Sequence, residues 1–190
     1  MNSIIESEFN DHIKIAKATK EILTNSIDSA SKICINCLKS GNKILFIGNG
    51  GSAADAQHLA AEIVGRYKEE RKGLAAIALT TDTSILTAIG NDFGYSQIFK
   101  RQVEALANEG DVLIGISTGG NSKNIVNAIN LANEIGCKTI GFSGKDGGEF
   151  TSLCVVNLVV PSFETARIQE MHLFIGHTLC NLIDQAFSTN

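Results

Sequence analysis

Residues 43–62, KILFIGNGGSAADAQHLAAE, read as a buried strand that runs through a glycine loop straight into a helix. The opening KILFIG is apolar throughout rather than alternating. That pattern suits a strand covered on both faces of a parallel sheet. Similar short runs recur as LAAIALT (74–80), DVLIGIS (111–117), CKTIGF (137–142) and VNLVVP (156–161), with helical patterns between most of them. Strand and helix in alternation predict an α/β fold, a three-layer αβα sandwich with a five-stranded parallel sheet. Ligands of such sheets bind beyond the carboxyl ends of the strands, so chemistry is sought there.

Outward from this repeat, two helical patterns precede it, at about residues 3–24 and 27–39, and Gly41 ends the second. Pro161, the only proline, closes the last strand, and residues 165–187 read as one long helix. Ile168, Met171, Leu173, Phe174, Ile175, Leu179, Leu182 and Ile183 are more apolar residues than one face of that helix needs. The first helix shows a similar excess, and packing between subunits would absorb both. The expected organisation is one structural unit, with N-terminal helices (1–40) packing on the domain (41–190) and in an oligomer.

At 190 residues and 44% hydrophobic content, the chain can bury one core and is too short for two ordinary domains. The net charge of −4 gives no basic footprint, so no nucleic-acid partner is expected. Charges are mixed into the N-terminal residues, which argues against a signal peptide or membrane span and for a cytoplasmic protein with no membrane partner. The five cysteines lie in apolar contexts. Cys34 and Cys37 form a CxxC without a second pair, and helical spacing sets both on one apolar face with Ile33, so they are read as core.

Two loops invite an anionic ligand. In the first, Asn49, Gly50, Gly51 and Ser52 stand at a helix N-terminus, where bare amides and the helix dipole favour negative charge. No GK[ST] follows, which excludes a Walker loop. Gly48, Gly50 and Ala53 satisfy a relaxed dinucleotide pattern, GxGxxA, with Asp82 as a candidate ribose contact. The second loop, within GISTGGNSKNIVNAI (115–129), offers the hydroxyls of Ser117, Thr118 and Ser122 beside the amides of Gly119 and Gly120. It forms a phosphate cradle without a lysine, or a simple cap with Asn121 or Ser122 as N-cap.

His58 and Glu62 are four apart on one helix face, able to ligate a metal, to pair a base with its orienting partner, or to form a surface pair. Gln169, Glu170, His172 and His177 are polar residues in the apolar last helix and call for partners.

The stretches GNGGSAADAQHLAAEIVGRY (48–67), ALTTDTSILTAIGNDFGY (78–95), GISTGGNS (115–122), SGKDGG (143–148) and ARIQEMHLFIGH (166–177) together resemble the sedoheptulose 7-phosphate isomerases of the SIS-domain class. The resemblance implies a flavodoxin-like SIS domain and a cytoplasmic homotetramer. Its implied activity is the interconversion of D-sedoheptulose 7-phosphate and D-glycero-D-manno-heptose 7-phosphate, the first step of bacterial heptose synthesis for lipopolysaccharide, capsule or related glycans. It further implies that Asn49, Gly50, Gly51 and Ser52 meet substrate, that Asn91 and Asp92 hold sugar hydroxyls, and that Ser117, Thr118, Gly119 and Ser122 bind phosphate. Glu62 and His177 would be the catalytic pair, with Glu62 and Gln169 also at the substrate. His58, Glu62, Gln169 and His177 would hold one Zn2+ per subunit. The chain departs from the family's STSGNS loop, since Gly119 replaces the middle serine. ALTTDTSILTAIGND and ARIQEMH also resemble a non-catalytic SIS protein that binds the replication initiator. That alternative is disfavoured because Glu62 and His177 are both present.

Overall fold

The structure is a computed structural model that describes residues 2–188. Its elements in chain order are α1 (Asn2–Lys39), β1 (Ile44–Gly48), α2 (Gly51–Val64), β2 (Ala76–Ala78), α3 (Thr83–Phe93), a 3-10 turn (Tyr95–Gln97), α4 (Lys100–Leu106), β3 (Val112–Ile116), α5 (Lys123–Ile135), β4 (Lys138–Gly144), α6 (Phe150–Leu153), β5 (Val156–Val160) and α7 (Thr165–Phe187). All five apolar runs form strands, every pairing is parallel, and the order is β2-β1-β3-β4-β5. This is the flavodoxin-like order, whose direction reverses between β1 and β3.

Side-chain alternation divides the core in two. Ile44 and Phe46 of β1 join Val112 and Ile114 of β3 on the face covered by α1, α2 and α7. Leu45, Ile47 and Leu113 point to the opposite face, against α4, α5 and Phe150. Both faces are therefore dry, which is why the strands show no polar alternation. Gly141 leaves room for Phe150, whose ring lies 2.7 Å from where its Cβ would stand, and Gly115 does the same for Ile125 and Ile129 of α5.

The two expected N-terminal helices are one continuous helix of 38 residues. The polar run Thr24-Asn25-Ser26 reads as a break, but it contains neither proline nor glycine. Thr24 Oγ1 and Ser29 Oγ instead donate to carbonyls one turn back and leave the helix intact. The helix ends where expected, with Gly41 at φ 80°. Its second half is anchored by Leu23, Ile27, Ala30 and Cys34, whereas Phe9 remains 65% exposed in the first half. On α7, Ile168, Met171, Ile175, Leu179 and Ile183 are buried, and Phe174 is 61% exposed. Among the described residues, no helix is long and apolar enough to cross a membrane.

The cysteines are free, with Cys34 and Cys37 buried in the core as their spacing suggests. Burial pushes the Cys37 thiol up to about 11, so it stays protonated and inert at neutral pH.

Candidate active site

The two glycine loops follow β1 and β3, neighbours in the sheet, and so meet at the point where strand order reverses. The first turns tightly into α2. A Cβ on Gly48 would stand 2.4 Å from the Ser52 carbonyl oxygen, and Gly50 has φ 56°. These two positions need glycine for the turn, which leaves the dinucleotide reading of Gly48 and Gly50 without a distinct observation. Asp82 serves instead as the N-cap of α3, accepting the Ile85 amide at 2.9 Å.

In the second loop the Ser117 and Ser122 hydroxyls lie 3.1 Å apart. Ser122 is the N-cap of α5, yet its hydroxyl makes no bond to the helix and faces Ser117 instead. The SGKDGG segment packs directly against this loop. A Cβ on Gly120 would fall 2.1 Å from the Gly147 carbonyl, and Asn121 Oδ1 accepts the Glu149 amide at 2.9 Å. Gly119 has open space around its absent Cβ, so a serine would fit there and nothing in the structure explains its replacement.

A reciprocal amide pair joins the loops. Asn49 Nδ2 donates to Asn124 Oδ1 at 3.0 Å, and Asn124 Nδ2 returns a bond to Asn49 Oδ1 at 2.9 Å. Tyr95 donates its hydroxyl to the same Asn49 oxygen at 3.1 Å. Asn124 and Tyr95 carry no cue in the sequence, because their role depends on β1 and β3 lying side by side. Asn91 and Asp92 are exposed near the end of α3, where their side chains bond each other at 2.8 Å.

The last helix brings His177 to α2. Its Nε2 lies 2.8 Å from His58 Nε2, and His58 Nε2 lies 3.4 Å from Glu62 Oε1. The potential ligand atoms of these three residues all fall within 4.8 Å of one another. Two imidazoles and a carboxylate are a zinc donor set. Ring nitrogens bound at about 2.0–2.1 Å to a tetrahedral ion stand about 3.4 Å apart, so the pair need open by only a fraction of an ångström. The donor set therefore fits zinc. Gln169 lies elsewhere on the site: its amide nitrogen is 3.0 Å from where a Cβ on Gly51 would stand. Gly51 precedes His58 by about 10 Å of helix rise. The place of Gln169 in a shared metal set thus rests on the resemblance alone.

His172 and Glu170 face other groups. His172 is fully buried, donates Nε2–H to the Ser143 carbonyl at 3.0 Å, and leaves Nδ1 without a partner. Burial pushes its pKa down to about 4, so it is neutral. Its folded value lies below the unfolded one of about 6.5, so its neutral burial is free of penalty above pH 6.5. As pH falls toward 4, stability drops by up to about 3 kcal/mol. His172→Gln, which retains a donor, should flatten that pH dependence in urea melts. An unchanged slope would refute the assignment. Glu170 pairs with His12 of α1 and with Arg167, and thereby ties the two long helices together.

The segment after α2 is held by an ion pair that lies outside the sequence-based expectations. Arg71 Nε donates to Asp184 Oδ1 at 2.6 Å, with the two side chains 1% and 0% exposed. Asp184 Oδ2 also accepts the amides of Tyr67, Lys68 and Glu69 at 3.2, 2.6 and 3.0 Å. Burial alone would raise the Asp184 pKa, but these amides and the guanidinium outweigh it and hold the carboxyl below its usual range. A signal does exist in the sequence: Asp184 is a charged residue within the apolar LIDQAF end of α7.

A profile of the SIS domain matches residues 9–144. The phosphoheptose isomerase of Aliarcobacter butzleri is 59% identical over 188 residues, spanning 99% of this chain and all of that protein. The chain belongs to the phosphoheptose isomerases of the SIS-domain family. Solved structures agree with the family assignment. The phosphoheptose isomerase of Neisseria gonorrhoeae superposes with a TM-score of 0.92 at 44% identity, over 97% of this chain and 98% of that one. The Francisella tularensis phosphoheptose isomerase gives 0.93 at 41%, over 96% and 97%. These SIS-domain relatives extend over α1 and α7 as well as the sheet.

Proposed function

We propose that the chain is an aldose-ketose isomerase that converts D-sedoheptulose 7-phosphate to D-glycero-D-manno-heptose 7-phosphate, the entry to bacterial heptose synthesis. One observation carries the reading: a carboxylate and an imidazole, Glu62 and His177, converge on a phosphoheptose isomerase fold that also carries two helix-opening loops. The Ser117, Thr118 and Ser122 hydroxyls and the Gly119 amide bind the phosphate at the second loop. The polyol extends toward Asn49, Gly50, Gly51 and Ser52, with Gln169 at the same loop and Asn91 and Asp92 serving hydroxyls.

Glu62 removes a proton from C1 of the ketose, and the electron pair forms the C1–C2 double bond of an enediolate. His177 takes the O1 proton and supplies one to O2. Glu62 then returns its proton to C2, leaving the aldehyde at C1 and restoring both side chains. His58, Glu62 and His177 would hold one zinc ion, which would supply Lewis-acid stabilisation of the oxygens. A carboxylate engaged by a metal is a weaker base, so Glu62 does its proton transfer best when free of the ion.

We further infer a cytoplasmic homotetramer, in which other copies cover the exposed Phe9, Ile13, Ile22 and Phe174 of the long helices. The experiment for the whole reading is turnover of sedoheptulose 7-phosphate by enzyme as purified, after chelation, and after zinc is restored. Activity that falls on chelation and returns with zinc supports the ion's catalytic part. An undiminished rate in metal-free enzyme would refute it.

A further inference from the structure

We propose that Tyr67, Arg71 and Asp184 are positioning residues for the isomerisation, forming a buried strap that fixes His177 in its place opposite Glu62. The inference rests on the reading of Glu62 and His177 as the reacting pair. These two residues lie on different helices, α2 and α7, and the direct polar link between them runs through His58, whose Nε2 lies 2.8 Å from His177 Nε2. The strap adds a second connection, made of buried groups.

Its first part grips α2. The Arg71 guanidinium donates to the carbonyls of Glu62 and Ile63 at 3.0 and 2.9 Å, and more distantly to Gly65 at 3.4 Å. These belong to the last turn of α2 and its cap, whose carbonyls have no further helix to bond. Arg71 therefore holds the helix end at the backbone of Glu62 itself.

The second part grips α7. Asp184 follows His177 by seven residues, two helical turns, and so shares its face. Its carboxylate accepts Arg71 on one oxygen and three consecutive amides, 67 to 69, on the other. Arg71 Nε and all three amides are directed at one carboxylate, which ties the loop to α7.

The third part reaches the imidazole. The fixed loop sets the Tyr67 ring against His177, with centroids 5.3 Å apart and planes 27° from parallel. His58 meets the same imidazole edge-on, at 5.0 Å and 66°. The His177 imidazole thus lies between a stacked ring and an edge. Tyr67 is only partly buried, with its ring packed against the edge of the core as well as against the imidazole.

A misplacement of about 1 Å can cost on the order of 100-fold in rate without altering ground-state contacts. Phosphate and polyol bind on other loops, so loss of the strap is expected in kcat and not in KM. Tyr67→Leu removes the ring and leaves the ion pair in place. It should lower kcat by about 10- to 100-fold, with KM within about threefold of wild type. Tyr67→Phe, which keeps the ring, should bring kcat back to within about twofold. Asp184→Asn is the direct test of the ion pair and should show the same kcat-selective loss in its folded fraction. Tyr67→Leu remains informative should that variant fold poorly.

A strap that served stability alone would leave the kcat of folded Tyr67→Leu at the wild-type value, and that result would overturn the proposal. So would a loss confined to KM, or a Tyr67→Phe as impaired as Tyr67→Leu. Glu62→Gln, run beside them, separates the two failures. If it loses turnover while Tyr67→Leu does not, only the strap is wrong. If it keeps turnover, the reacting pair is misassigned and the strap falls with it.

Discussion

Glu62→Gln is expected to lower kcat by about 1,000- to 10,000-fold, the range typical of a lost general base, while substrate still binds within a few-fold of wild type. Glutamine keeps the length and one acceptor oxygen of the side chain but cannot take a proton from carbon. The surroundings of Glu62 stay intact in the variant, because Arg71 holds its backbone carbonyl and not its carboxylate. The phosphate cradle of Ser117, Thr118 and Ser122 is on another strand and should be undisturbed. Rates followed by NMR and substrate binding measured by calorimetry on the same preparations separate the two effects. Activity near wild type would remove Glu62 as the base.

Asp184→Ala is expected to cost about 3–5 kcal/mol of folding stability, the usual effect of leaving a buried charge without its partner. The substitution strands the guanidinium of Arg71 and three backbone amides at once. Its pH dependence has a definite sign. The folded pKa of Asp184 lies below the ordinary 3.8, so its contribution is fully present above about pH 4 and is lost as pH falls through the folded value. The gap between wild type and Asp184→Asn in urea melts should therefore be wide at neutral pH and narrow below pH 4. This window lies below that of His172, whose effect develops between about 6.5 and 4. A loss below about 1 kcal/mol at pH 7 would contradict the ion pair's structural role.

The sheet was legible because each strand is buried on both faces, and continuous apolar runs carry that information locally. The break expected near residue 25 failed for a related reason. Thr24 and Ser29 can satisfy backbone carbonyls within a helix, so a polar run without glycine or proline does not end one. His58 and Glu62 could be paired from spacing alone, whereas their meeting with His177 depends on how α7 crosses α2. Asn124 and Tyr95 were invisible because they act across the β1–β3 junction. Arg71 lies in a charged surface-like run, KEERK, and only the fold shows its side chain to be buried. Asp184 was different: its position on an apolar helix asked for a partner, and the rule applied to His172 and His177 would have found it.

The most direct measurement is incubation of the purified protein with D-sedoheptulose 7-phosphate, followed by NMR, with and without zinc. The account predicts the aldoheptose 7-phosphate in the wild type and its near-absence with Glu62→Gln. No conversion by folded wild-type protein under either condition would contradict it.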